Sequence, residues 1–234
     1  MLSINVNSEN RCVFVAGGTG YLGRPLIADL LRSGHVVRAL VRAGSEHKLP
    51  SGCEQVSGTP LDRSSYQRQI APADTFVHLV GVAHPSPSKA AEFRSIDLKS
   101  ACESMTAARA AGIQHFVYVS VAHPAPVMKA YVAARTECED LLRGSGLNVT
   151  ILRPWYVLGP EHRWPYALLP MYWLAELLPG TRDSAHRLGL VTRHQMCTAL
   201  LTAVENPAKG MRIVEVPEIR ACGPPRPDRR RHSG

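Results

Sequence analysis

The chain lacks a long apolar run. No stretch of its 234 residues approaches the roughly 20 apolar residues that a membrane-spanning helix needs. Met1 to Asn10 are polar and carry no apolar core of the signal-peptide kind. Paired cysteines are missing too: Cys12, Cys53, Cys102, Cys138, Cys197 and Cys222 form no C-x-x-C. This usage predicts reduced, mostly buried thiols, no metal site and a cytoplasmic protein. There is no internal repeat. The net charge is +8, but residues 220–234 hold five arginines and one aspartate, so about half of the excess lies in a Pro/Arg/Gly tail. No aromatic residue interleaves those arginines, as single-strand binders require, so no specific nucleic-acid binding is expected. A solvated, disordered tail over 220–234 is expected instead. The remainder is ordinary: 45% hydrophobic and 20% charged, and long enough for one α/β domain with a sizeable core.

What is present starts with residues 12–23. Val13 to Ala16 is an apolar, β-branched run of the kind found in buried parallel strands. Glycines follow at 17, 18, 20 and 23, and then Pro25 to Leu31 carries apolar residues at helical spacing. Strand, glycine turn and helix in that order form the setting of a dinucleotide fingerprint. Backbone N–H groups at a helix N-terminus meet a pyrophosphate only where no Cβ intervenes. Further strands are predicted at 36–41, 54–57, 75–80, 114–119, 148–152 and 211–216. Helices are predicted from 63, over 89–111, from 129 to 142 and over 192–204. Asp62 is placed as a cap for the helix starting at 63. His78 is read as a packed core histidine, and His84, at the mouth of its strand, as a residue that faces the substrate or only solvent.

The glycine spacing is G-x-x-G-x-x-G, in Gly17-Gly18-Thr19-Gly20-Tyr21-Leu22-Gly23. A second motif, Arg153-Pro154-Trp155-Tyr156-Val157-Leu158-Gly159-Pro160, follows a strand about 130 residues later. On these motifs the chain resembles the short-chain dehydrogenase/reductase superfamily in its extended and atypical branches, NmrA-like and sugar-epimerase-like. The likeness covers residues 11–160 well. It implies a doubly wound, mainly parallel Rossmann-type sheet over residues 1–219, with a small C-terminal cap at about 161–219. It also implies that Gly17, Thr19, Gly20, Tyr21, Leu22 and Gly23 hold a nicotinamide dinucleotide. Leu61, Val80, Gly81, Pro154 and Val157 line its remaining length, and Gly81 permits close backbone approach. Relatives commonly carry an acid where this chain has Thr59.

At the end of the second strand, NAD sites place an acid and NADP sites a cation. Here the residue is Arg42, with Lys48 further along and no acid before Glu46. NADP(H) is expected, with NAD(H) as the alternative. The resemblance also supplies a catalytic set. Ser120 ends the fifth strand, Tyr131 follows eleven residues on, and Arg135 four beyond that. Tyr131 and Arg135 share a helix face. The superfamily pattern is Ser, then Tyr-x-x-x-Lys: a hydroxyl that orients a carbonyl, a phenol that moves the proton, and a cation that lowers the phenol pKa. Arg135 keeps the charge of that lysine but not its shape. Trp164 to Pro179 is rich in Trp, Tyr, Leu and Pro, which predicts a lid or apolar pocket wall, with peripheral membrane contact as the alternative. The expected function is an NADP(H)-dependent oxidoreductase acting on a small apolar carbonyl or alcohol. The alternatives are a non-catalytic NAD(P)H-binding redox sensor or scaffold, and a nucleotide-sugar epimerase or dehydratase.

Overall fold

A computed structural model of the chain describes residues 10–125, 127–160 and 188–223. Seven strands form one parallel sheet: β1 Cys12–Ala16, β2 Val36–Val41, β3 Glu54–Ser57, β4 Thr75–His78, β5 His115–Val119, β6 Asn148–Leu152 and β9 Met211–Val214. Their order across the sheet is β3-β2-β1-β4-β5-β6-β9. β1 lies between β2 and β4, with Val13 opposite both Val37 and Thr75. The chain order reverses between β1 and β4, the place where open α/β sheets accept ligands at their carboxyl ends. Two short strands, β7 Tyr156–Leu158 and β8 Leu190–Thr192, pair separately.

Alternation along the strands divides the core. Val13 and Val15 point to one face, Phe14 and Ala16 to the other. On the first face, helix α1 (Gly23–Arg32) buries Leu26, Ile27 and Leu30 beside Met196, Leu200 and Val204 of helix α5 (Arg193–Glu205). Thr192 and Gln195 form a capping box at the start of α5. On the second face, helices α3 (Lys99–Ala110) and α4 (Lys129–Arg143) pack Ala101, Ala107, Cys138 and Leu142 against Phe14, Phe76 and Phe116. Each of the Leu, Ile, Val, Met and Phe side chains contributes about 1.5–3 kcal/mol by leaving water, and each alanine methyl about 0.8 kcal/mol.

The structure departs from the predicted elements in several places. β4 stops at His78, because Leu79 and Val80 already belong to the turn facing Gly17. The predicted helix over 89–111 is broken into a 3-10 turn (Pro87–Lys89), a single α-helical turn α2 (Ala90–Glu92), a π-helical stretch (Phe93–Leu98) and α3. The helix expected from 63 is two 3-10 turns, although Asp62 does cap the first by accepting from Ser64 N (3.0 Å). The last strand ends at Val214, and the chain then forms helix α6 (Val216–Ala221). The expected boundary at 219 therefore falls inside a helix. Arg220 Nε donates to Leu190 O (2.9 Å), and Gln195 Nε2 donates to Arg220 O (3.2 Å). The six thiols are free, but only Cys138 and Cys197 are buried and the other four are half-buried. Trp164 to Pro179 and residues 224–234 lie outside the described residues. Among the described residues, no helix is long and apolar enough to cross a membrane.

Candidate dinucleotide and substrate site

The glycine turn connects β1 to α1 at the carboxyl edge of the sheet. Gly17 has φ +91°, and a Cβ there would lie 2.9 Å from the Leu79 carbonyl carbon. Gly23 faces Gly17 O so closely that no side chain fits between helix and turn. Both glycines are demanded by the protein's own packing. Gly20 is different. It is exposed, and a Cβ on it would meet only Gly17 O, at 3.2 Å. The fold itself has little need of a glycine there, whereas a ligand approaching the backbone does. Helix α1 begins at this point with no side-chain cap and no acid in its first turn. Of its leading N–H groups, that of Arg24 already donates to Gly20 O (3.2 Å) and Pro25 has none, so the helix start offers an anion the N–H of Gly23 and the positive end of its dipole. The turn fits a pyrophosphate.

Arg42 stands immediately beyond β2, exposed, and its side chain has no partner among the described residues. Leu61 is half-buried in the loop after β3, and Val80 is half-buried in the loop after β4. Pro154 is buried and its carbonyl accepts from Ala122 N (2.9 Å), tying the end of β6 to the end of β5. Tyr21 joins the two sequence motifs. Its hydroxyl packs directly on Gly159, where a Cβ could not fit, and Arg193 Cζ lies 5.2 Å from its ring centre.

Beside the turn is a cavity of about 240 Å³. Tyr21 and Leu22 come from the glycine turn, His84 and Pro85 from the loop after β4, and Val121 from the end of β5. Met128 and Tyr131 come from the start of α4, and Trp155, Tyr156 and Val157 from the chain after β6. The walls are aromatic and aliphatic, with phenols, one indole and one imidazole as polar groups, a composition suited to an apolar ligand carrying few polar atoms. His84 therefore faces the cavity, held at φ +50°. His78 is a core residue, bonded to Ser104 Oγ (3.0 Å), and burial followed by the charge of Arg135 pushes it down to about 3.

The expected catalytic set is only partly assembled. Tyr131 lines the cavity and packs on Phe93 with ring centres 5.0 Å apart. Ser120 does not line it. Its hydroxyl donates to Glu139 Oε1 (2.5 Å) in a buried network. Arg153 binds both oxygens of Glu139 and also Glu215 (2.9 Å), and His123 Nε2 lies 3.4 Å from Glu139. Burial alone would raise the Glu139 pKa, but hydrogen bonds from Arg153 and Ser120 hold it below its ordinary value. The residue that reaches the cavity is the next one, Val121, in the extended chain just beyond β5, since successive residues of an extended chain face opposite ways. Arg135 is buried and forms an ion pair with Asp97 (2.6 Å). It also donates to Val119 O (2.8 Å) and Tyr118 Oη (3.2 Å). Gly81 does not simply open the strand end to a ligand: its missing Cβ leaves the space that the Arg135 guanidinium fills. Sequence reasoning missed Asp97, Glu139 and Val121. Period-two alternation through β5 carried the signal for Val121, whereas nothing in the sequence marks the π-helical stretch that buries Asp97.

A parallel sheet with its order reversed at β1/β4, a glycine turn there and an uncapped helix start define a dinucleotide-binding Rossmann domain. The chain belongs to the NAD(P)H-binding family, whose model matches residues 17–170, and so to the atypical short-chain dehydrogenase/reductases that its motifs resemble. It is 26% identical over 213 residues to a ceramide reductase of Caulobacter vibrioides, covering 90% of this chain and 66% of that one. It is 29% identical over 170 residues to a 4-hydroxy-2-methyl-3-oxo-4-farnesyl-3,4-dihydroquinoline-1-oxide ketoreductase of Stigmatella aurantiaca, covering 63% and 51%. The chain thus spans between half and two thirds of the length of these reductases. In fold it is similar to the Bordetella bronchiseptica enzyme WbmH in complex with NAD+, with TM-score 0.66, 21% identity and coverage of 87% and 75%. It is also similar to Thermus thermophilus UDP-glucose 4-epimerase complexed with NAD, with TM-score 0.63, 17% identity and coverage of 90% and 81%.

Proposed function

We propose that the protein is an NADP(H)-dependent reductase of an apolar carbonyl compound. The observation that carries this reading is the adjacency of the Gly20 turn to a cavity walled by Tyr21, Val121, Tyr131, Trp155 and Val157. The turn and the start of α1 bind the pyrophosphate, and Arg42 pairs with the 2′-phosphate of the adenosine ribose. The nicotinamide, when bound, supplies the hydride. The chain's own part is to seat the substrate against apolar walls, exclude water and hold a proton at Tyr131 Oη for the developing alkoxide. With Ser120 turned away, the orienting contacts come from Tyr131 itself and from His84 or Tyr156 on the same walls. The names of the two related reductases specify ceramide and a farnesyl-bearing molecule, which agrees with an apolar substrate.

The test is hydride transfer from NADPH to long-chain ketones, followed by loss of reduced nicotinamide absorbance. Tyr131→Phe is expected to lower the rate by 10²–10⁴-fold, the usual worth of a positioned acid, while dinucleotide affinity stays within error. Full activity in that variant would remove Tyr131 from the reaction. One observation favours a second reading, a non-catalytic NADP(H) sensor: the cavity wall carries Val121 at the end of β5, without a hydroxyl. In that case wild type binds NADPH but oxidises none of it with any carbonyl offered.

A further inference from the structure

The π-helical stretch after α2 holds Asp97 with no exposed surface, in a region where sequence periodicity predicts plain helix. Its Oδ1 meets Arg135 Nη2 at 2.6 Å, and its Oδ2 accepts from Val82 N (3.0 Å) in the loop after β4. The same stretch begins with Phe93, whose ring packs on Tyr131. Arg135 Cζ in turn lies 5.3 Å from the Tyr131 ring centre and 5.6 Å from that of Tyr118. One short turn of irregular helix therefore fixes both the ring and the counter-charge of the cation beside it.

A lone guanidinium at this distance draws a phenol towards its ionised form. A carboxylate 2.6 Å from that guanidinium cancels most of the field, leaving a short dipole in place of a net charge. We propose that Asp97 is a positioning residue that offsets the charge of Arg135 beside the Tyr131 ring, and so fits the site to donate a proton in reduction. This rests on the reading of Tyr131 as the proton donor. Arg135 thus differs from a simple stand-in for a lysine: it arrives with its own counter-ion, and Gly81 leaves room for the pair.

Burial raises the pKa of Asp97 itself above its ordinary value, while Arg135 and the Val82 N–H favour its charged form; the other ionisable groups around the pair leave this balance in place. His78 on β4 is kept neutral by burial and by Arg135, and burial pushes Cys138, on Arg135's own helix, up to about 11. Tyr118 on β5 is raised well above its ordinary value, first by burial. His84 from the loop after β4, Tyr21 from the glycine turn and Tyr156 from β7 line the same cavity as Tyr131. Arg94 and Glu137 pair with each other on the exposed side of α4 (2.9 Å).

The experiment follows Tyr131 ionisation directly in the full chain. Tyrosine is labelled with ¹³C at Cζ, and Tyr131→Phe identifies the signal. Asp97→Asn is expected to move the Tyr131 titration to lower pH by about one unit or more. Asp97→Asn with Arg135→Gln, again a pair without net charge, is expected to bring it back within about half a unit of wild type. A single variant that shifts by less than about half a unit would overturn the proposal, as would a double variant that shifts as far as the single one. Should Asp97→Asn not fold, the double variant decides alone, and a displacement beyond about one unit counts against the idea. The pH–rate profile of carbonyl reduction is read beside these titrations. If ionisation shifts as described but no variant turns over, Asp97 keeps its role and the reductase reading fails. If turnover is present and its profile ignores Asp97, the proposal fails and the reductase reading stands.

Discussion

Ser120 and Val121 are neighbours in sequence, but only Val121 touches the cavity. Ser120 spends its hydroxyl on Glu139, inside a network whose other charge is Arg153. Ser120→Ala is therefore expected to act on stability. It removes a buried hydrogen bond to a charged acceptor, a loss of about 1–3 kcal/mol in denaturant unfolding, while turnover per folded molecule is retained. A stable variant without turnover would return Ser120 to the chemistry. Arg42 has the opposite character, exposed and unpaired among the described residues. A charge-assisted contact to a 2′-phosphate is worth about 1.5–3 kcal/mol, so Arg42→Ala is expected to cut the preference for NADPH over NADH roughly tenfold to a hundredfold. Titration of both cofactors against both proteins checks this, and an unchanged ratio would assign the phosphate to Lys48 or Arg24.

At the scale of elements, the seven strands of the main sheet were legible, most of them as short apolar runs between turn signals and β1 with its glycine turn the clearest, whereas the three-residue pair β7 and β8 was not foreseen. The helix over 89–111 was legible only as helix. Its π-helical part results from burying Phe93 and Asp97 together against α4, a tertiary demand that spacing does not express. The expected catalytic group was half legible: Tyr131 and Arg135 do share a helix face, but which residue at the end of β5 comes near them depends on strand phase, and the partner of Arg135 lies 38 residues away. Composition misread the last element. Residues from 220 read as an arginine-rich tail, yet Arg220 closes α6 onto β8 and α5. Truncation after Ile219 cuts that helix and is expected to lower the melting temperature by several degrees, since about 1 kcal/mol shifts the melting temperature by roughly 2–4 °C in a domain of this size. Truncation after Gly223 spares the helix and serves as the control, and equal melting points would show that Arg220 contributes nothing.

At the scale of the molecule, two buried imidazoles tie stability to pH. Burial, then the charge of Arg135, pushes His78 down to about 3, and burial, then Arg212 and Arg11, pushes His115 down to about 4. Both lie below the ordinary value of 6.5. Between those values the unfolded chain binds protons that the folded one refuses, so stability is full above that ordinary value and falls as pH drops towards the folded values. The loss by pH ~4 is expected to be on the order of 5 kcal/mol, seen as a falling urea midpoint; a flat profile would mean that these residues are not held neutral. Protons are one partner of the folded state, and the nicotinamide dinucleotide expected at the Gly17–Gly23 turn is the other. Binding of that dinucleotide is tested most directly by titration of the full chain and of Gly20→Asp with NADPH and NADH. A side chain at Gly20 meets Gly17 O at 3.2 Å, a tight contact that asks the turn to shift by a few tenths of an ångström, so folding of the variant is checked first by its melting curve. Its carboxylate occupies the place of the pyrophosphate and repels it. Saturable one-site binding by wild type, weakened at least about tenfold in a folded Gly20→Asp protein, is the result this account requires. Equal affinity in the two proteins, or no binding by wild type, would contradict it.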